Sequence, residues 1–214
     1  MLTIHGVTRS RASRVIWLCH ELDLPFRQVP VIQAYRIADA EAPDAPANTK
    51  SPDFLALSPA GAIPVIEDEG LVLSESLAIT LHLARKHGGP AGPQDYAEDA
   101  LMTQWSLYGA TAIEPDALTI LMLGQSADDA EIVAEAAARL ARPLAVVEEH
   151  LATHAYLVGG RFTVADLNLA EIIRYAQGDA ALMARHPAIS AWLTACQDRP
   201  AFKTMWAARM AEPA

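Results

Sequence analysis

The chain has 214 residues, 52% hydrophobic and 20% charged, with a formal net charge of −10 at pH 7. Such a chain supports one large or two small globular domains with a substantial core and is not disordered. Its acidity excludes the broad basic footprint of a nucleic-acid or anionic-membrane binder.

Taken in chain order, Leu2 to His5 alternates and predicts a short strand. After the loop GVTRS, the residues Val15, Leu18, Cys19 and Leu22 recur at helical spacing. They predict a helix from Ser13 to Leu24, closed by Pro25, because the residue before proline avoids the α region. Phe26 to Ile32 is a second apolar run, and Pro30 inside it argues for an edge strand. DAEAPDAPANTKSP, residues 39–52, reads as an exposed loop, with a short helix at PDFLAL. Ala62 to Glu67 and Leu71 to Leu73 flank Asp68-Glu69-Gly70 and predict a hairpin. Ser76 to His87 is a helix apolar nearly all round, and so buried.

HGGPAGP, residues 87–93, breaks this pattern and marks a domain boundary. Only helical periodicity follows. Ala97, Leu101, Gln104, Trp105, Tyr108 and Ala112 share one face, with a kink expected at Pro115. Ile132, Ala136, Leu140, Leu144, Val147 and Leu151 mark another helix, with a bend at Pro143. Thr163-Val164-Ala165-Asp166 is a capping box opening an apolar helix through Tyr175. Pro187 to Gln197 and Ala201 to Met210 predict two more. The expected fold class is therefore α/β plus all-α, with domains over 1–87 and 93–214. A fragment of a larger doubly wound sheet is opposed by the small number of strands, and a helical bundle by the hairpin.

No window approaches the ~18 apolar residues of a membrane span, and MLTIHGVTRS lacks the apolar core of a signal peptide. Cys19 and Cys196 lie far apart and outside any Cys-x-x-Cys, which opposes a disulfide framework or a zinc site and makes a reducing cytoplasm the expected compartment. His150 and His154 are four apart, but no His-Glu-x-x-His or carboxylate pattern completes a metal site around them.

Chemistry concentrates in GAIPVIEDEGLVLSES, residues 61–76. Pro64 is either an ordinary trans proline at a strand start or a cis proline that frees the Ile63 backbone for an extended peptide ligand. Glu75-Ser76 stands at a helix entry, where Ser76 either caps the helix or holds an anion and Glu75 accepts from an ammonium. In the loop Val7-Thr8-Arg9-Ser10-Arg11, a hydroxyl beside a helix N-terminus either caps the helix or faces a developing thiolate.

Together these stretches resemble the cytosolic glutathione S-transferase family, over essentially the whole chain. The resemblance rests on SRASRVIWLCHELDLPF, on PAGAIPVIEDEGLVLSESLAITLHLARKHG and on FTVADLNLAE. The first stretch is similar to a bacterial, serine-type subgroup. The resemblance implies a thioredoxin-like N-terminal domain and an all-helical C-terminal domain. It makes Pro64 the cis proline, Ile63 the residue whose backbone pairs with the cysteinyl part of glutathione, and Glu75 and Ser76 the pair holding its γ-glutamyl end. Ser10 matches the hydroxyl facing the thiol, although a one-residue slip would put Arg9 or Arg11 there. Asp166 matches an N-capping acid with a folding role. Where the family often carries Lys or Gln, this chain has Ala62, and Lys50 or Arg11 are the substitutes for contacting the glycyl carboxylate.

The implied activity is glutathione transfer. Glutathione is the co-substrate, no metal takes part, and the thiolate attacks a small hydrophobic electrophile. Gln104, Trp105, Tyr108 and Thr111 line the second-substrate pocket or are plain interdomain packing. Cys19 sits too far into the first helix for thiol-transfer chemistry. A non-catalytic ligand-binding or interaction protein of the same fold is the alternative, and lyase, isomerase or dehalogenase chemistry would use the same thiolate. Family resemblance further implies a homodimer.

Overall fold

The computed structural model describes residues 1–212. The elements run β1 (Leu2–His5), α1 (Ala12–Glu21), β2 (Phe26–Val29), α2 (Pro52–Leu57), β3 (Val65–Asp68), β4 (Leu71–Ser74), α3 (Ser76–His87) and α4 (Tyr96–Tyr108). They continue with α5 (Glu114–Leu123), α6 (Ala130–Leu151), α7 (Val164–Ile173), α8 (Ala180–Ala184), α9 (Pro187–Gln197) and α10 (Pro200–Ala211). They form two compact units, Met1–Lys86 with the chain from Pro200 onward, and His87–Arg199.

The first unit carries a mixed four-stranded sheet in the order β2-β1-β3-β4. β1 runs parallel to β2, with Leu2 opposite Phe26, and antiparallel to β3, with Ile4 opposite Ile66. β2 is an edge strand, so Pro30 directly after it disrupts no central ladder. β3 and β4 form the expected hairpin. Glu69 and Gly70 both have positive φ, 50° and 90°, which gives the turn a twist that suits the strands it joins. Ile4, Val15, Trp17, Leu18, Ile66, Ile79 and Leu83 are fully buried. Phe54 and Leu57 of α2 pack with Val29, Val31, Ile63 and Val65.

The helix α10 belongs to this unit and not to the helical one, where the expected 93–214 boundary put it. The cause is aromatic. Trp17 of α1 meets Phe202 edge-on at 4.9 Å between ring centroids, and Phe202 stacks on Trp206 at 5.5 Å.

In the second unit every residue of α7 is buried. Its start carries the expected capping box, in which the Asp166 carboxylate accepts from the backbone N–H groups of Thr163 and Leu157 and from the Trp192 indole. Burial pushes the Asp166 carboxyl up from its ordinary value. The kink expected at Pro115 is placed elsewhere. Pro115 lies in the first turn of α5, where its missing N–H has no intrahelical partner to lose. The break is a π-helical turn over Gly109–Ile113 just before it. Gly109 is needed there, because a Cβ on it would come within 2.8 Å of Leu169 and 2.9 Å of Ile172 on α7.

Candidate functional site

Three stretches of the first unit meet at one end of the sheet. Gly6 has φ 141°, and a Cβ on it would lie 3.2 Å from the Ile63 Cβ and 3.3 Å from the Ala12 Cβ. The end of β1, the start of α1 and the residue before Pro64 are therefore in close contact. The Ile63–Pro64 peptide is cis. Among the described residues, no hydrogen bond engages the Ile63 N–H or C=O. That leaves a donor and an acceptor for a peptide-like ligand.

Glu75 and Ser76 form the second stretch. Glu75 is exposed with φ 68°, a left-handed conformation that costs a non-glycine residue about 1 kcal/mol or more. Ser76 follows as the first residue of α3 and is buried. Its hydroxyl accepts a hydrogen bond from the Arg14 guanidinium at 3.0 Å. Arg14 is itself only 1% exposed. A buried cation thus stands at a helix N-terminus, one residue from an exposed carboxylate. This arrangement suits the carboxylate and ammonium of an amino-acid end group.

Arg14 was not among the expected site residues, although it lies inside SRASRV. It sits one turn before the fully buried Leu18 on α1. A basic residue on the apolar face of a helix is the feature that singles it out. Arg11, which was expected to contact ligand, is exposed at the N-cap position of α1.

The third stretch is the loop from Val7 to Arg11. Ser10 is half-buried, and its Oγ donates to the Val7 carbonyl at 2.7 Å while accepting from the Ala12 N–H at 3.0 Å. A hydroxyl has one proton to give, so Ser10 meets a ligand sulfur only by turning away from Val7. Arg9 is directed elsewhere, its Nε donating to the Arg209 carbonyl at 3.0 Å.

Lys50 lies in a segment that borders the proline loop. The Thr49 carbonyl would be 3.0 Å from a Cβ on Gly61. The Lys50 ammonium pairs with Glu41 at 3.2 Å, and both side chains are exposed. Such a pair is worth about 1 kcal/mol or less, so a ligand carboxylate can compete for the lysine.

The four helical residues divide. Trp105 is buried and packs against Tyr108 and His150 at 5.9 and 5.0 Å between ring centroids. The Tyr108 hydroxyl donates to the Pro143 carbonyl at 3.2 Å. Both are thus engaged in packing within their own unit. Gln104 and Thr111 are exposed on α4 and the π turn that follows it. Burial pushes the Cys19 thiol up to about 12, which leaves it protonated and unreactive. His150 and His154 stack at 4.3 Å. Among the described residues, no group of three or more His, Cys, Asp or Glu is arranged to hold a metal, and no helix is long and apolar enough to cross a membrane.

Residues 4–91 match the family described as "Glutathione S-transferase, N-terminal domain", and residues 107–200 match "Glutathione S-transferase, C-terminal domain". The chain is 35% identical to a glutathione S-transferase of Hyoscyamus muticus, over 94% of this chain and 95% of that one. Among solved structures, it is similar to glutathione S-transferase III in its apo form, with 34% identity and a TM-score of 0.79, covering 100% of this chain and 99% of the other. It is also similar to a theta-class glutathione S-transferase from Xanthomonas axonopodis pv. citri solved with glutathione bound. That match has 26% identity and a TM-score of 0.77, and covers 95% of each chain.

Proposed function

The chain belongs to the glutathione S-transferase family and is a glutathione transferase, and from that premise we propose how its residues divide the work. Ile63 pairs through its backbone with the cysteinyl part of glutathione, at the cis Pro64. Ser76 and Arg14 hold the γ-glutamyl carboxylate, and Glu75 accepts from the ammonium. Lys50 leaves Glu41 to meet the glycyl carboxylate in place of the side chain absent at Ala62. Ser10 turns its O–H to the sulfur, which makes this a serine-type enzyme of the kind the SRASRV stretch resembles. The observation that carries the reading is the contact of Gly6 with Ile63 and Ala12, which brings the proline loop together with the start of α1, two residues after Ser10.

Glutathione's thiol has an ordinary pKa near ~8.5 and is mostly protonated at neutral pH. Ser10 loses one neutral hydrogen bond to Val7 and gains one to a charged acceptor, a net gain on the order of 1 kcal/mol. That equals a downward pKa shift of about 0.7 units. The N-terminal field of α1 adds to it. The thiolate then attacks an electrophilic carbon, and Ser10 is never the nucleophile. The exposed Gln104 and Thr111 are the helical residues open to contact the electrophile. We place the enzyme in the cytoplasm as a homodimer, so its light-scattering mass should be twice the 23.0 kDa of one chain. The ultraviolet absorbance of bound glutathione against pH tests the central step. The Ser10→Ala variant should raise the apparent thiol pKa, and an unchanged value would remove Ser10 from this role.

A further inference from the structure

The loop that carries Ser10 is held from the far end of the chain. The carboxylate of Glu212, just past α10, accepts from two consecutive backbone N–H groups. Thr8 donates to Oε1 at 2.7 Å and Arg9 to Oε2 at 2.8 Å. One residue on the neighbouring turn of α10, Arg209, completes the attachment in both directions. The Arg209 guanidinium donates to the Thr8 carbonyl at 2.7 Å, and its own carbonyl accepts from the Arg9 Nε at 3.0 Å. Thr8 is almost fully buried, and Arg9 is half-buried. The Val7 N–H is tied to the Val31 carbonyl at 3.2 Å. The backbone polar groups of Thr8 and the N–H of Arg9 are thereby fixed immediately before Ser10.

We propose that Glu212, assisted by Arg209, is a positioning residue for glutathione activation: its carboxylate bridges the Thr8 and Arg9 N–H groups and fixes the loop that aims the sulfur-facing donor. The inference rests on the reading that this loop, through Ser10, faces the thiol. Two parallel charge-assisted bonds from consecutive N–H groups define the loop's orientation as well as its distance. A neutral side chain at 212 cannot supply both acceptors with charge. Glutathione itself is gripped elsewhere, at Ile63, Glu75 and Ser76, so losing the clamp should spare binding and impair the chemical step.

The test is a cycle of Glu212→Ala, Ser10→Ala and the double variant, followed by kcat, the glutathione KM and the thiol pKa from ultraviolet absorbance. Glu212→Ala should lower kcat roughly tenfold to a hundredfold, as expected for a misplaced catalytic group. The glutathione KM should stay within about twofold, because binding contacts are untouched. The thiol pKa should rise, and the loss should largely vanish in the Ser10→Ala background. An unchanged kcat in the folded variant overturns the proposal, as does an equal loss in both backgrounds. A lowered melting temperature would mean that α10 has also loosened. Added formate then decides, against chloride at matched ionic strength. Formate can fill the paired N–H groups but cannot fasten a helix, so recovered kcat supports the clamp and no recovery overturns it. If Ser10→Ala alone leaves the thiol pKa unchanged, the reading of Ser10 fails, and the clamp is judged on the formate response alone.

Discussion

Replacing Ser76 with alanine removes a hydroxyl that holds Arg14 and is proposed to hold ligand as well. Within the chain it accepts from Arg14 at 3.0 Å, with the arginine 1% and the serine 5% exposed. A hydrogen bond to a charged group is worth about 1.5–3 kcal/mol. Arg14 keeps other interactions, so the lower end of that range applies. About 1.5 kcal/mol corresponds to a fall in Tm of roughly 3–6 °C for a chain of this size. The same hydroxyl is proposed to meet the γ-glutamyl carboxylate, and losing a further bond of about 1.5 kcal/mol raises the glutathione KM about tenfold. This end of glutathione does not change during the reaction. Its loss is uniform in ground and transition states, and kcat at saturating glutathione should stay within about threefold. Steady-state kinetics with an aryl halide, over a glutathione series extended to high concentration, reads both parameters. Differential scanning calorimetry reads the stability cost. A lowered Tm with an unchanged KM would show that Ser76 only anchors Arg14 and does not touch ligand. A fall in saturated kcat with KM unchanged would place Ser76 in the chemical step, contrary to the proposal.

Gly6→Ala should be costly by about 1–3 kcal/mol, because φ 141° strains any residue with a Cβ. It should also push on Ile63 and raise the glutathione KM; a variant with wild-type KM would break the link between Gly6 and the site. The Arg161 guanidinium, bidentate on Glu98 at 2.6 and 2.8 Å, holds the Glu98 carboxyl at about 2, below its ordinary 4.5. A depressed folded-state pKa contributes stability above about 4.5 that fades as pH falls toward 2. In urea unfolding, wild type should therefore exceed Glu98→Gln by about 1–2 kcal/mol at neutral pH, and the gap should close as the solution is acidified through that window. The Cys19 thiol, pushed up to about 12 by burial, should resist Ellman's reagent at pH 8 until the chain unfolds. Rapid labelling of Cys19 in the folded enzyme would contradict that burial.

Most of the fold was legible because its elements obey local rules. The strand at Leu2–His5, the hairpin around Glu69-Gly70, the capping box at Thr163–Asp166 and α9 over Pro187–Gln197 each follow from a periodicity or a turn within a few residues. What failed was not local. Pro115 looks like a kink, yet whether a proline disrupts a helix depends on its place in that helix, and here it opens α5. The π turn before it has no pattern of its own and is explained by Gly109 lying against α7. The assignment of α10 failed for the same reason. Its sequence is helical and reads correctly, but the Trp17–Phe202 contact that decides which unit it joins spans most of the chain.

The site divides along the same line. The placement of Ile63, Pro64, Glu75 and Ser76 follows from the sequence because one hairpin lies between the two pairs, so their spacing is their geometry. The basic residue was harder. Arg11 and Arg14 are three apart and chemically equivalent as residues, and only their placement on α1 distinguishes an exposed guanidinium from one buried against Ser76. Helical phase relative to Leu18 separates the two, and under the proposed assignment the buried cation is the one whose field would reach the γ-glutamyl end undiluted by water. For Ser10, residue type gives the hydroxyl but not the direction of its proton. That direction is set by Val7 and by a loop held at Thr8 by Glu212, 204 positions further along the chain. No spacing rule reaches so far. On the proposed reading, thiol activation is therefore a property of the loop and its clamp together, and substitutions at position 212 should change the thiol's acidity while leaving every residue of the proposed glutathione-binding hairpin in place.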